Sequence, residues 1–190
     1  MNEPGITLRD LLGMNGRELH RVMMEGHALD LDAIAGGRYK GIDLSLPPWV
    51  NAILWKTFLK EFVRDEATGE VRGWNVRLTQ TGVDGPIVPL RRRDGARITF
   101  GHYRVRDATQ KRFPWGWKGA HCLDYGDAGN TFGDVARFTC SPLVAVNVGR
   151  HDLLLGWEVI RLAGVMVPLR DYWALVRCGE VGEVVAVPRP

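Results

Sequence analysis

A chain of 190 residues, 45% apolar and 25% charged with a formal net charge of +3, has the make-up of an ordinary globular protein and can bury a substantial core. The near-neutral balance excludes a dedicated nucleic-acid binder, which carries a concentrated basic face. The opening MNEPGITLRDLLGM has an early acid and a proline but no apolar stretch of signal-peptide length, and no run reaches membrane-spanning length without charges. The expectation is therefore a cytoplasmic protein with no membrane insertion.

In chain order, residues 1–36 read as a helical segment. Leu19, Val22 and Met23 recur at helical spacing, Asn15 is placed to cap and Gly26 to stop, and DLDAIAG adds a further turn. From residue 37 to 185 the pattern becomes strands separated by turn signals. GGRYKGIDLSLPPWV opens as a strand and runs into Pro47-Pro48, where WVNAIL suits a single helical turn. WKTFLKEFV and VRGWNVRLTQ alternate around DEATGE, which makes an antiparallel hairpin. TGVDGPIVPLRRRDGA reads as a loop or edge excursion. RITFGHYRV is a strand with Ile98, Phe100 and His102 on one face, RDATQKRFPWGWKGA a long connection, HCLDYG a short strand, and DAGNTFGDVARFTCSP mostly loop. LVAVNV is a strand. LLLGWEVIRL and VMVPLRDYWALVRC are two more, joined near Ala163-Gly164, and the tail GEVGEVVAVPRP reads as a short terminal strand.

About eight strands with short connections and little helix argue against a parallel βαβ sheet. They suit a mainly β protein, an antiparallel up-and-down barrel of about eight strands with a short N-terminal helix. The last two strands carry Glu158, Arg161, Arg170 and Asp171 among apolar neighbours. By strand alternation, Leu155, Trp157 and Val159 share one side, and Leu154, Glu158 and Ile160 the other. Val167, Leu169, Asp171, Trp173 and Leu175 likewise oppose Met166, Arg170, Tyr172, Ala174 and Val176. Neither face is wholly polar, which suits a barrel whose outside is partly covered and whose inside mixes aromatic and polar groups. Glu158 and Arg170 either neutralise each other across neighbouring strands or both face solvent.

Candidate functional residues follow from this pattern. Tyr39, Trp55, Phe58, Phe62, Trp74, Phe100, Tyr103, Trp157 and Trp173 recur across the strands and are either ligand-binding walls of a cavity or plain core. Lys60, Asn75, His102 and Glu158 are the polar groups placed to orient a ligand. Glu158 and His102 are the catalytic candidates for acid–base chemistry, against a bland reading of His102 as a hydrogen-bonded core or surface residue. The basic run PLRRRDGAR suits phosphate or anionic lipid, or a solvated loop. FPWGWKG suits a lid or partner patch, or a loop packed on the barrel. Cys122, Cys140 and Cys178 lack CxxC spacing and read as reduced, partly buried thiols. The five histidines show no ligand spacing, so no metal is indicated. With no Gly-rich phosphate loop, nucleophile elbow or HExxH, no cofactor is indicated either.

GGRYKG, through Gly37, Tyr39 and Gly41, resembles the Gly-x-aromatic-x-Gly motif of the GXWXG bacterial proteins and the first-strand start of lipocalin-like barrels, with Tyr39 standing for the Trp. WKTF, through Lys56 and Phe58, is similar to that family's Gly-Lys-x-Phe segment. SPLVAVNVGRHDLLLGW, through Pro142, Leu143, Leu155 and Gly156, resembles its late Pro-Ile…Leu-Gly segment. The resemblance implies a lipocalin-like barrel and a late-strand arginine, Arg177, packed on Tyr39.

The functional expectation is a barrel that binds a small, mainly apolar molecule. Two alternatives stand beside it: an isomerase, cyclase or hydratase using a buried acid–base group in the same cavity, and a filled-core interaction module using the Trp115–Trp117 loop. A homodimer is compatible with all three.

Overall fold

The computed structural model describes residues 5–45, 56–131 and 133–188. Two capping boxes start the chain. Thr7 and Asp10 exchange side chain-to-backbone hydrogen bonds at the start of α1 (Leu8–Gly13), and Asn15 and Glu18 do so at α2 (Gly16–Glu25). α2 ends at Gly26 as its sequence requires, and Asp30 caps the single turn α3 (Leu31–Ile34). Among the described residues no helix is long and apolar enough to cross a membrane.

Eight antiparallel strands follow in simple sequential order: β1 (Gly37–Asp43), β2 (Thr57–Arg64), β3 (Val71–Arg77), β4 (Thr99–Asp107), β5 (His121–Asp124), β6 (Cys140–Ala145), β7 (Leu153–Leu162) and β8 (Val165–Glu180). Pairing of β1 with β8 closes them into a barrel, so no sheet edge is left exposed. The architecture is the mainly β, up-and-down eight-stranded barrel that the alternating runs imply.

The hairpins form where turn chemistry allows. At β2–β3, Asp65 accepts the backbone N–H groups of Ala67 and Thr68, and Gly69 takes φ +71°. At β7–β8, Ala163 and Gly164 adopt φ +47° and +82°, the pair of left-handed residues that a two-residue hairpin needs. The helical turn expected after Pro48 lies outside the described residues.

The outside of the barrel is covered in two places. On one side α2 lays Leu19 and Met23 into an outer cluster with Val144, Leu155, Trp157 and Tyr172. Trp117 joins it, donating its indole N–H to the Met23 carbonyl at 3.2 Å. On the opposite side Leu59, Trp74, Val76 and Leu78 are roofed by Ile87 from the 78–98 excursion and by Val181 and Val185. The excursion is tied down by Lys40, whose ammonium donates to the carbonyls of Gly82, Val83 and Gly85. The C-terminal tail does not form the expected strand. It runs extended over Trp74, held by Arg97 and Arg72 on the carbonyls of Glu183 and Val185. A barrel closed by β1–β8 leaves the tail no sheet edge to join.

Two cysteines distant in sequence become neighbours: Cys122 and Cys140, on paired strands, have Sγ atoms 3.5 Å apart, both free thiols.

Candidate functional site

The barrel interior is filled at one end and hollow at the other. At the filled end Ile34 caps a cluster of Tyr39, Phe62, Tyr103, Leu123, Leu143, Leu154 and Leu175. Its rings run edge to face, Tyr39–Phe62–Tyr103–Tyr125, at centroid spacings of 5.4–5.5 Å. Arg177 lies over the Tyr39 ring at 5.8 Å, the contact that the resemblance implied. The other end opens into a cavity of about 710 Å³.

Three inward glycines make room for rings in this interior. Gly41 pairs with Phe58, Gly73 with Tyr103, and Gly156 with Trp173. A methyl group on Gly41 or Gly156 would meet the facing ring at 2.2 or 2.1 Å, and on Gly73 the Tyr103 hydroxyl at 2.4 Å. Each glycine thus lets an aromatic side chain lie across the strand beside it, the pairing by which aromatics cover bare glycine backbone in sheets.

Two irregularities shape the open end. On β8, Trp157 faces Tyr172 but Val159 faces Pro168, so four residue steps on β8 span two on β7. The slack lies opposite Glu158 and lets Leu169, Asp171 and Trp173 all line the cavity. On β4, Gly101 takes φ +50° and breaks the register with β3. The amides released there are taken up by the 125–139 connection: Asp134 accepts the Gly101 N–H at 3.0 Å, and Asn130 both accepts from and donates to the backbone of His102. That connection supplies Asp134, Val135, Ala136 and Thr139 to the cavity mouth.

Lys60 sits on the cavity floor, 2% exposed. Its Nζ donates to Asn75 Oδ1 at 2.7 Å and to the Tyr125 hydroxyl at 2.8 Å. The Asn75 orientation is set by its own amide, which donates to the carbonyls of Gly101 and Phe100. Tyr103 and Trp173 approach Nζ at 4.7 and 4.8 Å from their centroids, and Tyr125 and Phe58 at 5.4 and 5.6 Å. Burial pushes the Lys60 amine down to about 7, and the nearby Glu158 charge only partly opposes this.

Glu158 reaches the same floor from β7. Ser141 Oγ donates to its Oε2 at 3.0 Å and the Trp173 indole N–H at 3.3 Å. Burial nevertheless raises its carboxyl, against the pull of Lys60. Asp171 is pushed up to about 8 by burial, then by nearby Asp43 and Glu158. A carboxyl group held at that level keeps most of its protons near pH 7, so the cavity wall carries a largely neutral acid. The cavity therefore combines apolar walls (Phe58, Phe100, Ile160, Leu169, Trp173) with a floor where burial pushes an amine and two carboxyl groups toward their neutral forms.

Of the residues picked from sequence, Phe58, Lys60, Asn75, Phe100, Glu158 and Trp173 converge on this cavity. Tyr39, Phe62 and Tyr103 lie in the filled end, Tyr103 bordering the floor. Trp74 and Trp157 face away from the interior. The Trp74 indole donates to Glu61 at 2.7 Å beneath the C-terminal tail. Trp157 stacks between Trp115 and Tyr172 under α2, at centroid distances of 4.9 and 6.2 Å. His102 is also outside, beside Arg72, Gly73 and Val187, with its imidazole lowered to about 4 by burial and by Arg72. Strict alternation puts His102 with Phe100, but the bulge at Gly101 turns the two to opposite sides. Glu158 and Arg170 do not pair: Glu158 faces the cavity and Arg170 an outer groove with His20 and Trp115, as the opposite parity of strand partners dictates. Trp55 lies outside the described residues.

Asp43, Arg77, Tyr125, Asp134 and Asp171 also line the cavity. Alternation carries the signal for three of them, since Asp43 shares the face of Tyr39 and Gly41, Arg77 that of Asn75, and Asp171 that of Trp173. Tyr125 and Asp134 come from a connection with no period to read. Among the described residues no group of three or more His, Cys, Asp or Glu is placed to hold a metal ion.

Fold and site together define a class: a closed antiparallel barrel with one plugged end and one open, chemically furnished cavity. No family model matches the chain, and neither a curated protein nor a solved structure matches it.

Proposed function

We propose that the open half of the barrel binds one small molecule, its aromatic or aliphatic body against Phe58, Phe100, Ile160 and Trp173 and a polar head toward Lys60, Asn75 and Glu158. The observation that carries this reading is the cavity itself. Its volume of about 710 Å³ falls within the roughly 300–1,000 Å³ typical of ligand sites, and it has the usual combination of apolar walls with a few convergent polar groups. A filled-core interaction module loses its premise in a barrel hollow at one end. The test is titration of the full chain with 2-naphthalenemethanol, followed by calorimetry and by Trp fluorescence. One-to-one binding is expected, and Leu169→Trp, which fills the cavity mouth, should abolish it while leaving the far-ultraviolet dichroism unchanged. Absent or nonsaturating binding by the parent chain would overturn the reading.

A second reading, an acid–base enzyme on the same scaffold, is favoured by one specific observation. Lys60, Glu158 and Asp171 line one cavity with protonation equilibria all displaced toward the neutral forms, the arrangement that acid–base catalysis exploits. The resemblance to GXWXG proteins and lipocalin-like barrels stays part of this proposal, supported by the Gly41–Phe58 pair and the Arg177–Tyr39 contact.

A further inference from the structure

We propose that Lys60 is a nucleophile that condenses with the carbonyl group of an aldehyde or ketone entering the cavity, Glu158 carrying the protons of the condensation. This inference rests on the cavity being a small-molecule site and names the substrate class it would take.

The geometry separates Lys60 from the other lysines. Lys40 is bound by three backbone carbonyls of the 82–85 turn, Lys56 by the Asp43 carbonyl, and Lys111 by Asp124 at 2.8 Å, while Lys118 is exposed to solvent. Lys60 faces a hollow, and the acceptors on its Nζ, Asn75 and Tyr125, are neutral. A neutral amine has two N–H bonds, which these two acceptors use, and its lone pair takes the remaining tetrahedral direction. Water would compete poorly with an apolar carbonyl compound in the aromatic surround of Phe58, Tyr103, Tyr125 and Trp173. Burial also keeps a large share of the amine unprotonated near neutral pH, as it does for Schiff-base lysines in apolar pockets.

The steps balance with no further reagent. The Lys60 lone pair forms the N–C bond while the carbonyl π pair moves to oxygen, which takes the Glu158 proton. The resulting carboxylate removes a proton from nitrogen, giving a carbinolamine. Glu158 then returns that proton to the hydroxyl oxygen. The C–O bond breaks, water leaves, and the nitrogen lone pair closes the C=N bond. Glu158 suits this role because it is held at Oε2 by Ser141 and Trp173 while exposed to the same hollow.

The test uses the full chain, 2-naphthaldehyde and sodium cyanoborohydride at pH 7, with intact mass and peptide mapping. The expected product is a single adduct of the aldehyde mass less one oxygen, mapped to Lys60 and formed about tenfold or more faster than at Lys118. Lys60→Arg should remove it, and Glu158→Gln should slow it about tenfold or more. If the alcohol binds and Lys60 stays unlabelled, the condensation is overturned and the binding reading survives. If the alcohol does not bind, both fall. An unchanged rate in Glu158→Gln overturns the proton-carrying role of that residue.

Discussion

The two halves of the barrel interior are made by the same eight strands, yet one is plugged by edge-to-face rings and the other is hollow. In the plugged half Tyr39, Phe62 and Leu154 are fully buried. In the hollow half Phe58, Phe100 and Ile160 are only half-buried, and titratable groups stand among them. The difference teaches where the protein keeps its stability and where it leaves room for chemistry. The sharpest way to break the comparison is to truncate one ring in each half. Phe62→Ala should cost about 3–5 kcal/mol, the usual loss for a fully buried phenylalanine. Phe100→Ala should cost far less and weaken 2-naphthalenemethanol binding. Urea unfolding and calorimetry on the two variants check this, and equal stability losses would erase the distinction.

The glycine–aromatic pairs sharpen it next. Gly156→Ala puts a methyl group into the Trp173 ring, an overpacking that costs about 1–3 kcal/mol. Because Trp173 forms a cavity wall and donates to Glu158, the displaced indole should also cut ligand affinity. Gly73→Ala acts on the plugged half, where the methyl group meets the Tyr103 hydroxyl and the Glu61 carbonyl. It should lower the melting temperature and change affinity much less. Thermal unfolding read beside calorimetry separates the two.

The third effect belongs to the hollow half alone. The Lys60 amine titrates near its ordinary 10.5 in the unfolded chain and at about 7 in the folded one. Below pH 7 both states carry the ammonium, so the cost of burying it is fully present. Between pH 7 and 10.5 the unfolded chain binds the extra proton, and stability rises with pH. Asp171 acts with the opposite sign: its raised folded value, about 8 against 3.8, makes stability fall as pH climbs through that interval. From pH 8.5 to 10 the Asp171 contribution is largely spent, and Lys60 should add up to about 1.4 kcal/mol per pH unit. Guanidinium unfolding of the parent and of Lys60→Met across that interval should give a difference that widens with pH, and parallel lines would remove Lys60 from the titration.

Much of this was legible in the alternation of the strands. Alternation groups Leu154, Glu158 and Ile160 on one face of β7 and Leu169, Asp171 and Trp173 on one face of β8, and both groups face the interior, although the pairing considered from sequence set Glu158 beside Arg170 rather than Asp171. Alternation failed where the backbone leaves its period. Gly101 reverses His102 against Phe100, and no sequence rule tells a bulge glycine from a strand glycine. It was also silent on which side of a strand is inside. Trp74 and Trp157 are as apolar as Trp173, but the tail and α2 supply second cores on the outer wall that make outward tryptophans stable. Tyr125 and Asp134 reach the site from an aperiodic connection, whose position is set by the amides that the β4 bulge leaves to be satisfied.

The smallest effect tests whether the halves are independent. Arg177 lies over Tyr39 in the plugged half, donates to the Ala33 carbonyl at 2.7 Å, and pairs with Glu180 at its solvent edge. Arg177→Lys keeps the charge but loses the planar fork that makes these contacts together. A partly exposed cation–π contact of this kind contributes about 0.5–1 kcal/mol, so the melting temperature should fall by a few degrees. Binding of 2-naphthalenemethanol should not change, because Tyr39 is separated from the cavity by the rings of Phe62 and Tyr103, which are close-packed and held in place from several strands. A loss of affinity in Arg177→Lys, measured by calorimetry well below its melting temperature, would mean that the ring stack transmits strain from one end of the barrel to the other, and the plugged half would then be part of the site rather than only its support.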